Sequence, residues 1–164
     1  IKYIDKSRKS NDVSSAKTIK TAVETALGTE SVYETLVNDG GSVINIEPNK
    51  ACQALSSNAN ASACITIDWV KTDMQKSDSN GYSGATNAAC VALIGANIGE
   101  KTPKVKYKKG TSAVQNPDNW VVLINAKGTV TVGLSASEIS TEVDSVSADS
   151  DYIALAPDID EDYQ

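Results

Sequence analysis

The chain of 164 residues contains no histidine and no phenylalanine. The absence of histidine excludes Ser-His and Cys-His nucleophile pairs, histidine-ligated metal sites and the commonest general base near neutral pH. An enzyme built from this chain would have to rely on lysine, tyrosine and carboxylate groups alone. We therefore expect a protein that is not an enzyme and that holds neither a cofactor nor a metal ion.

Aromatic residues make up only 5% of the chain, whereas hydrophobic residues make up 40%. This length allows one domain, residues 1–164, whose core must consist mainly of Val, Ile, Leu and Ala. The formal net charge is −6. Nucleic acid is therefore not expected as the main partner, since neutralising phosphates requires a basic surface. The sequence contains neither an apolar run long enough to cross a bilayer nor a signal peptide.

Only three cysteines are present, and their spacing leaves their role open. Cys52 and Cys64 flank a polar stretch and can close a short loop as a disulfide in an oxidising compartment. Cys90 lies in a run of Ala, Val and Leu, so we interpret it as a small buried hydrophobic residue. The alternative is a metal site of three thiolates, but no CxxC spacing supports it.

The first 27 residues contain neither Gly nor Pro and predict one long helix that ends at Gly28. Such a helix spans about 40 Å, more than an ordinary surface helix. Because no capping residue precedes Ile1, we interpret the chain as beginning within a longer helix. One face carries the apolar positions Ile1, Ile4, Ala16, Ile19, Val23 and Ala26.

This apolar stripe is continuous only in the second half of the helix, because Arg8, Asp12 and Ser15 interrupt it earlier. We expect the second half to pack on a sheet. The first half is basic, and we expect it to protrude without a partner in its own domain. The alternative is a helix whose polar first half simply runs over the domain surface.

Residues 28–102 predict a short helix followed by a long, irregular region. The helix is expected over 31–38, and residues 42–102 are expected to be mostly loop. Within that loop, alternation predicts a strand at 65–69, and a face of small residues predicts a helix at 83–96.

Residues 103–164 predict an antiparallel sheet and a C-terminal region. Alternating lysines at 104–108 predict an edge strand, where lysine discourages aggregation. Two β-branched runs within 120–134 predict a tight hairpin across Lys127 and Gly128. A last strand is expected at 151–156, ending at Pro157. The order of these elements predicts an α+β fold in which a long N-terminal helix packs on a small antiparallel β-sheet.

Charge is segregated along the chain, because no basic residue follows Lys127. Nine acidic residues follow it: Glu138, Glu142, Asp144, Asp149, Asp151, Asp158, Asp160, Glu161 and Asp162. We interpret the C-terminal ones as a solvated acidic tail rather than a Ca²⁺ site, since the glycine and the distal glutamate of an EF-hand are absent. In a polymer, this tail would allow one subunit to meet the basic stem of another.

Two segments of the sequence resemble a known family. The segment IKYIDKSRKSNDVSSAKTIKTAVETAL resembles the second half of the N-terminal helix of a type IV pilin, in particular of the Gram-positive type. The hairpin NWVVLINAKGTVTVGL is similar to part of that family's antiparallel sheet. The resemblance implies the type IV pilin fold, with the leader and an apolar helix half upstream of Ile1. It also implies a departure from many Gram-negative pilins, because no cysteine lies beyond Cys90 to close a C-terminal disulfide loop.

This resemblance implies a structural subunit of a type IV pilus filament, which serves adhesion, motility or biofilm formation through subunit assembly and carries out no chemistry.

 The expected partners are other copies of the pilin, the pilus assembly machinery and the membrane, through the apolar helix half. The expected location is extracellular, in a pilus on the cell surface. In this interpretation Ile1 and Ile4 continue the stripe that faces the filament core. The residues expected to meet neighbouring subunits are Lys2, Lys6, Arg8 and Lys9.

Three alternatives stay open at the level of sequence. A type II secretion pseudopilin or a minor pilin would share the same architecture. A secreted adhesin or binding module with a helical stalk belongs to a different class. An enzyme that uses only lysine and carboxylates belongs to a third.

Overall fold

A computed structural model describes residues 2–37, 40–46, 48, 98, 102–139, 141 and 143–164. Within these ranges it contains two α-helices, four β-strands and two short 3₁₀ helices. The helices are α1 (Lys2–Leu27) and α2 (Glu30–Val37), and the strands are β1 (Gly41–Ile46), β2 (Asn119–Asn125), β3 (Val130–Ser135) and β4 (Ile153–Ala156). The 3₁₀ helices are Val143–Ser145 and Glu161–Tyr163.

The long N-terminal helix is confirmed over its described residues, and it ends where the sequence predicts. The backbone N–H of Gly28 donates to the carbonyl of Thr25, and that of Thr29 donates to the carbonyl of Ala26, both at 3.1 Å. These short-range bonds satisfy carbonyl groups that the end of an α-helix leaves unpaired. The second helix follows almost at once, close to the predicted range 31–38.

The four strands form one antiparallel sheet in the order β1-β2-β3-β4, so each strand pairs with the next one along the chain. The predicted hairpin is confirmed as β2 and β3. Its loop is closed by Asn125, whose side-chain oxygen accepts from the N–H groups of Lys127 and Thr129. Gly128 has φ +84°, a conformation that glycine adopts without steric cost. The last strand, predicted over 151–156, is shorter and begins at Ile153.

Strand β1 corrects the prediction that the irregular region begins at residue 42. All six residues of β1 are buried, including Ser42 and Asn45. A strand buried on both faces does not show the regular alternation of apolar and polar residues by which strands are recognised. Gly40 precedes this strand and Gly41 is its first residue, and both have positive φ angles.

The sheet is buried on both faces, which gives the described part of the chain three layers. Helices α1 and α2 cover one face, where the core includes Ile19, Ile44, Trp120 and Leu134. On the opposite face, a smaller cluster consists of Val43, Val121, Leu123 and Tyr152, against which Ile139, Val143 and Val146 pack. We call residues 143–151 the acidic loop; it therefore lies on the side of the sheet away from α1.

Residues 104–108 are not a strand of the sheet, contrary to the prediction. Their alternation is nevertheless real, because Val105 is buried and Tyr107 is partly buried, whereas Lys104, Lys106 and Lys108 are exposed. The backbone N–H groups of this segment do not join a ladder but bind a side chain of α1, described below. The alternation of residues therefore predicted which side chains point inward, but not which group the backbone N–H groups of this segment bind.

Several predictions lie outside the described residues. These are the strand at 65–69, the helix at 83–96, the pairing of Cys52 with Cys64, and the buried Cys90. Ile1 also lies outside them.

Candidate functional site

The two halves of α1 have different surroundings, as the sequence predicts. Seven of the nine residues 2–10 are exposed, and among them Tyr3 is 89% and Ile4 is 53% exposed. In the second half, Ala16, Ile19 and Val23 are completely buried against the sheet. The first half of the helix, which we call the stem, therefore presents apolar and basic side chains that the core of the domain does not use.

Asp12 lies at the boundary between the stem and the buried half, and it is itself completely buried. Its two carboxylate oxygens accept hydrogen bonds from the backbone N–H groups of Lys106 and Tyr107, at 2.7 and 2.8 Å. Burial raises the pKa of Asp12, and these two hydrogen bonds oppose the rise. From the sequence, Asp12 is recognised only as an interruption of the apolar stripe. Its position on the buried face of the helix could have indicated this role, because a buried carboxylate requires hydrogen-bond donors from the rest of the chain.

The expectation that the basic stem has no partner in its own domain is wrong for Lys9. Its Nζ atom lies 4.7 Å from the centroid of the Tyr107 ring, a cation–π contact. Arg8 and Lys109 each lie near Asp5, with N–O distances of 3.7 and 3.9 Å. Such exposed ion pairs contribute little to stability. Of the predicted interface residues, Lys2, Ile4, Lys6 and Arg8 are exposed.

An open groove lies between the stem and residues 104–118, and we call it the basic groove. Asp12 holds the two sides together by binding the backbone at 106 and 107. The charged residues that line the groove are Arg8, Lys104, Lys106, Lys108 and Lys109, together with Asp5 and Asp118. Five positive charges against two negative ones give this surface the opposite sign to the whole chain, whose net charge is −6. The alternation of lysines in the sequence predicted the edge of a sheet here instead of a groove.

The C-terminal segment is not simply a solvated tail. Tyr163 is buried, and its ring meets that of Tyr107 edge to face, with centroids 5.5 Å apart. The neighbouring Asp158, Glu161 and Asp162 are exposed, as predicted. The phenolic oxygen of Tyr163 is buried without a hydrogen-bond partner in the described part of the chain. Burial, followed by the charge of Asp12, raises the pKa of Tyr163.

Replacing Tyr163 by Phe is expected to leave the free energy of unfolding unchanged or to raise it by up to about 1 kcal/mol, because the hydroxyl is desolvated without a bond in return. The pKa of Tyr163 is raised above 10.0 in the folded state, so the unfolded chain loses this proton first as the pH rises. Wild-type stability should therefore fall above about pH 10, and Tyr163→Phe should fall less steeply. Urea denaturation at pH 8 to 11 measures both effects.

A residual alkaline slope is expected in the Tyr163→Phe variant, because burial also raises the pKa of Tyr152. Because one hydrogen bond contributes about 1 kcal/mol, a loss of about 2 kcal/mol or more at neutral pH in Tyr163→Phe would show that the hydroxyl has a strong hydrogen-bond partner. That result would contradict the description of this site.

Two features are absent from the described residues. No three His, Cys, Asp or Glu side chains there form a group that could hold a metal ion. Nor does any helix in those ranges combine the length and apolar character needed to span a bilayer.

Comparison with protein-family models, with curated proteins and with solved structures found no match to this chain. What the described residues present is a helix whose first half carries exposed apolar and basic side chains and lies beside a basic groove.

Proposed function

We propose that this chain is the head domain of a filament subunit of the type IV pilin class, and that its role is assembly rather than catalysis. The observation that supports this most strongly is the division of α1. One helix of 26 residues has its second half buried in the domain, while its first half exposes Tyr3 and Ile4. A helix that extends its apolar stripe beyond its own core is suited to burial against other subunits.

Tyr3 and Ile4 are the large exposed apolar side chains of the stem. Burying apolar surface stabilises an assembly by about 25 cal/mol per Å², so Tyr3 and Ile4 favour a state in which neighbouring subunits cover them. The α+β arrangement, with a helix packed on a four-stranded antiparallel sheet, agrees with the fold that the resemblance implies. In the proposal, an apolar helix segment upstream anchors the subunit in the membrane before assembly and then joins the filament core.

The proposal is tested by replacing Ile4 with Asp in the complete gene and measuring the amount of filament on the cell surface. An unpaired charge buried at a subunit contact costs several kcal/mol, so the filament yield should fall by at least about tenfold. The matched control is Lys17→Asp, an exposed position on the same helix but beside the head. Both purified variants should melt within a few degrees of the wild type, since neither position lies in the core.

Different results would favour the other functions. Normal filaments from the Ile4→Asp variant would contradict the assignment of the stem to a subunit contact. Filaments that form normally without the chain, but that contain a few copies of it, would favour a minor pilin. A short periplasmic or cell-wall assembly linked to secretion would favour a pseudopilin, and a secreted monomer that binds a surface would favour an adhesin.

A further inference from the structure

The basic groove and the acidic loop lie on opposite sides of the sheet. The basic groove lies on the side of α1, because Asp12 and Lys9 of that helix bind the segment that forms the groove. The acidic loop lies on the other side, where Val143 and Val146 pack on the outer face of the sheet. Its charged residues, Asp144, Asp149 and Asp151, are all exposed.

These surfaces are complementary in charge. The basic groove carries five positive and two negative side chains. The acidic loop carries three negative side chains and no positive one, as part of a chain segment that contains no basic residue after Lys127. One copy of the chain cannot bring its own loop to its own groove, because the sheet separates them.

From this placement we infer that the acidic loop of one copy docks into the basic groove of a second copy. The contact pairs two different surfaces, so it is head-to-tail, and it leaves a free groove at one end and a free loop at the other. Contacts of this kind propagate into rings or open helical filaments rather than closing as twofold dimers. The inference rests on the proposed function, in that it names which surfaces of neighbouring heads meet.

A second copy fits this groove better than another polyanion does. The chain as a whole carries a net charge of −6, which repels nucleic acid and other extended anions from all but a small area. A loop with three carboxylates, held on the surface of the same protein, is opposite in charge to that area. Binding of an unrelated polyanion with equal strength is one outcome of the test below.

The test uses the isolated 164-residue chain, so that it does not depend on filament formation. Sedimentation at increasing protein concentration should show weak association in about 20 mM salt, which weakens at least tenfold in about 300 mM salt because exposed charge pairs are screened. Zero-length carbodiimide coupling of mixed ¹⁵N-labelled and unlabelled chains should join Lys104 or Lys108 of one copy to Asp144, Asp149 or Asp151 of another.

Two charge variants test the pairing directly. Lys104→Glu with Lys108→Glu makes the groove acidic, and Asp144→Lys with Asp149→Lys makes the loop basic. Each variant alone should lose association, whereas an equimolar mixture of the two should regain it, because each then offers the other a surface of opposite sign. The matched control is Lys17→Glu with Lys127→Glu, which changes the net charge equally at exposed positions outside the groove and should associate like the wild type.

The outcomes separate this inference from the proposed function. No association of the wild type at about 1 mM protein in low salt, loss of association in the control, or no recovery in the mixture would overturn the docking. So would polyphosphate that binds the groove as tightly as a second copy does, or more tightly. Filaments that still form from chains with the altered groove would overturn the docking alone, whereas docking without any filament would overturn the proposed function alone.

Discussion

Replacing Asp12 by Ala is expected to lower the free energy of unfolding by about 3 kcal/mol. This is a large effect for a single substitution in a small domain. The substitution leaves the backbone N–H groups of Lys106 and Tyr107, which lie in a part-buried position, without their acceptor, and each unsatisfied donor costs about 1–3 kcal/mol where water cannot reach it. The segment that forms the basic groove should also detach from α1. Urea denaturation measures the loss of stability, and amide hydrogen exchange at residues 106 and 107 measures the detachment.

Asp5→Ala is the matched control, because Asp5 lies on the same helix and makes only long, partly exposed ion pairs. Its effect should stay within about 0.5 kcal/mol. Equal effects of the two substitutions, or unchanged exchange at residues 106 and 107 in Asp12→Ala, would contradict the role of Asp12 as the contact that holds the groove together.

Replacing Ile19 by Ala is expected to have an effect of similar or larger size, about 3–4 kcal/mol. Ile19 is completely buried in the core between α1 and the sheet, so the substitution removes buried methyl groups and leaves a cavity. The lost stability should come from weaker packing of α1 on the sheet. Thermal and urea unfolding measure it, and the melting temperature should fall by several degrees.

Lys17→Ala is the control for this substitution, because Lys17 is exposed two residues away on the same helix. It should change stability by less than about 0.5 kcal/mol. Truncating a well-packed Ile to Ala costs about 2–5 kcal/mol, so a loss below about 1 kcal/mol in Ile19→Ala would show that the second half of α1 is not packed as described.

The parts of the fold that could be predicted from sequence are those whose local pattern decides the structure. The absence of Gly and Pro before Gly28 defines α1, and the burial of Ala16, Ile19 and Val23 follows their spacing. The hairpin of β2 and β3 follows from two β-branched runs joined at Gly128. For the candidate site, the same pattern identified the exposed stem, including Ile4 and Arg8.

The parts that could not be predicted depend on contacts distant in sequence. Strand β1 pairs with β2 across more than 70 residues, and its register, with Gly41 opposite Asn125, has no local signal. The bond between Asp12 and the backbone at 106 and 107 joins segments 94 and 95 residues apart. That bond helps to hold the lysines of residues 104–109 beside the stem, so the sequence contains the lysines but no local signal for the surface that they form.

The central claim is that this chain is a subunit of a surface filament. The most direct measurement is to shear filaments from cells that carry the gene, purify them, and identify their proteins by mass spectrometry together with antibodies against the head. The account predicts that this chain is a main component and that antibodies label the filaments along their length. Filaments that lack the chain, with the protein recovered only as a monomer in the medium or the cell fraction, would contradict it.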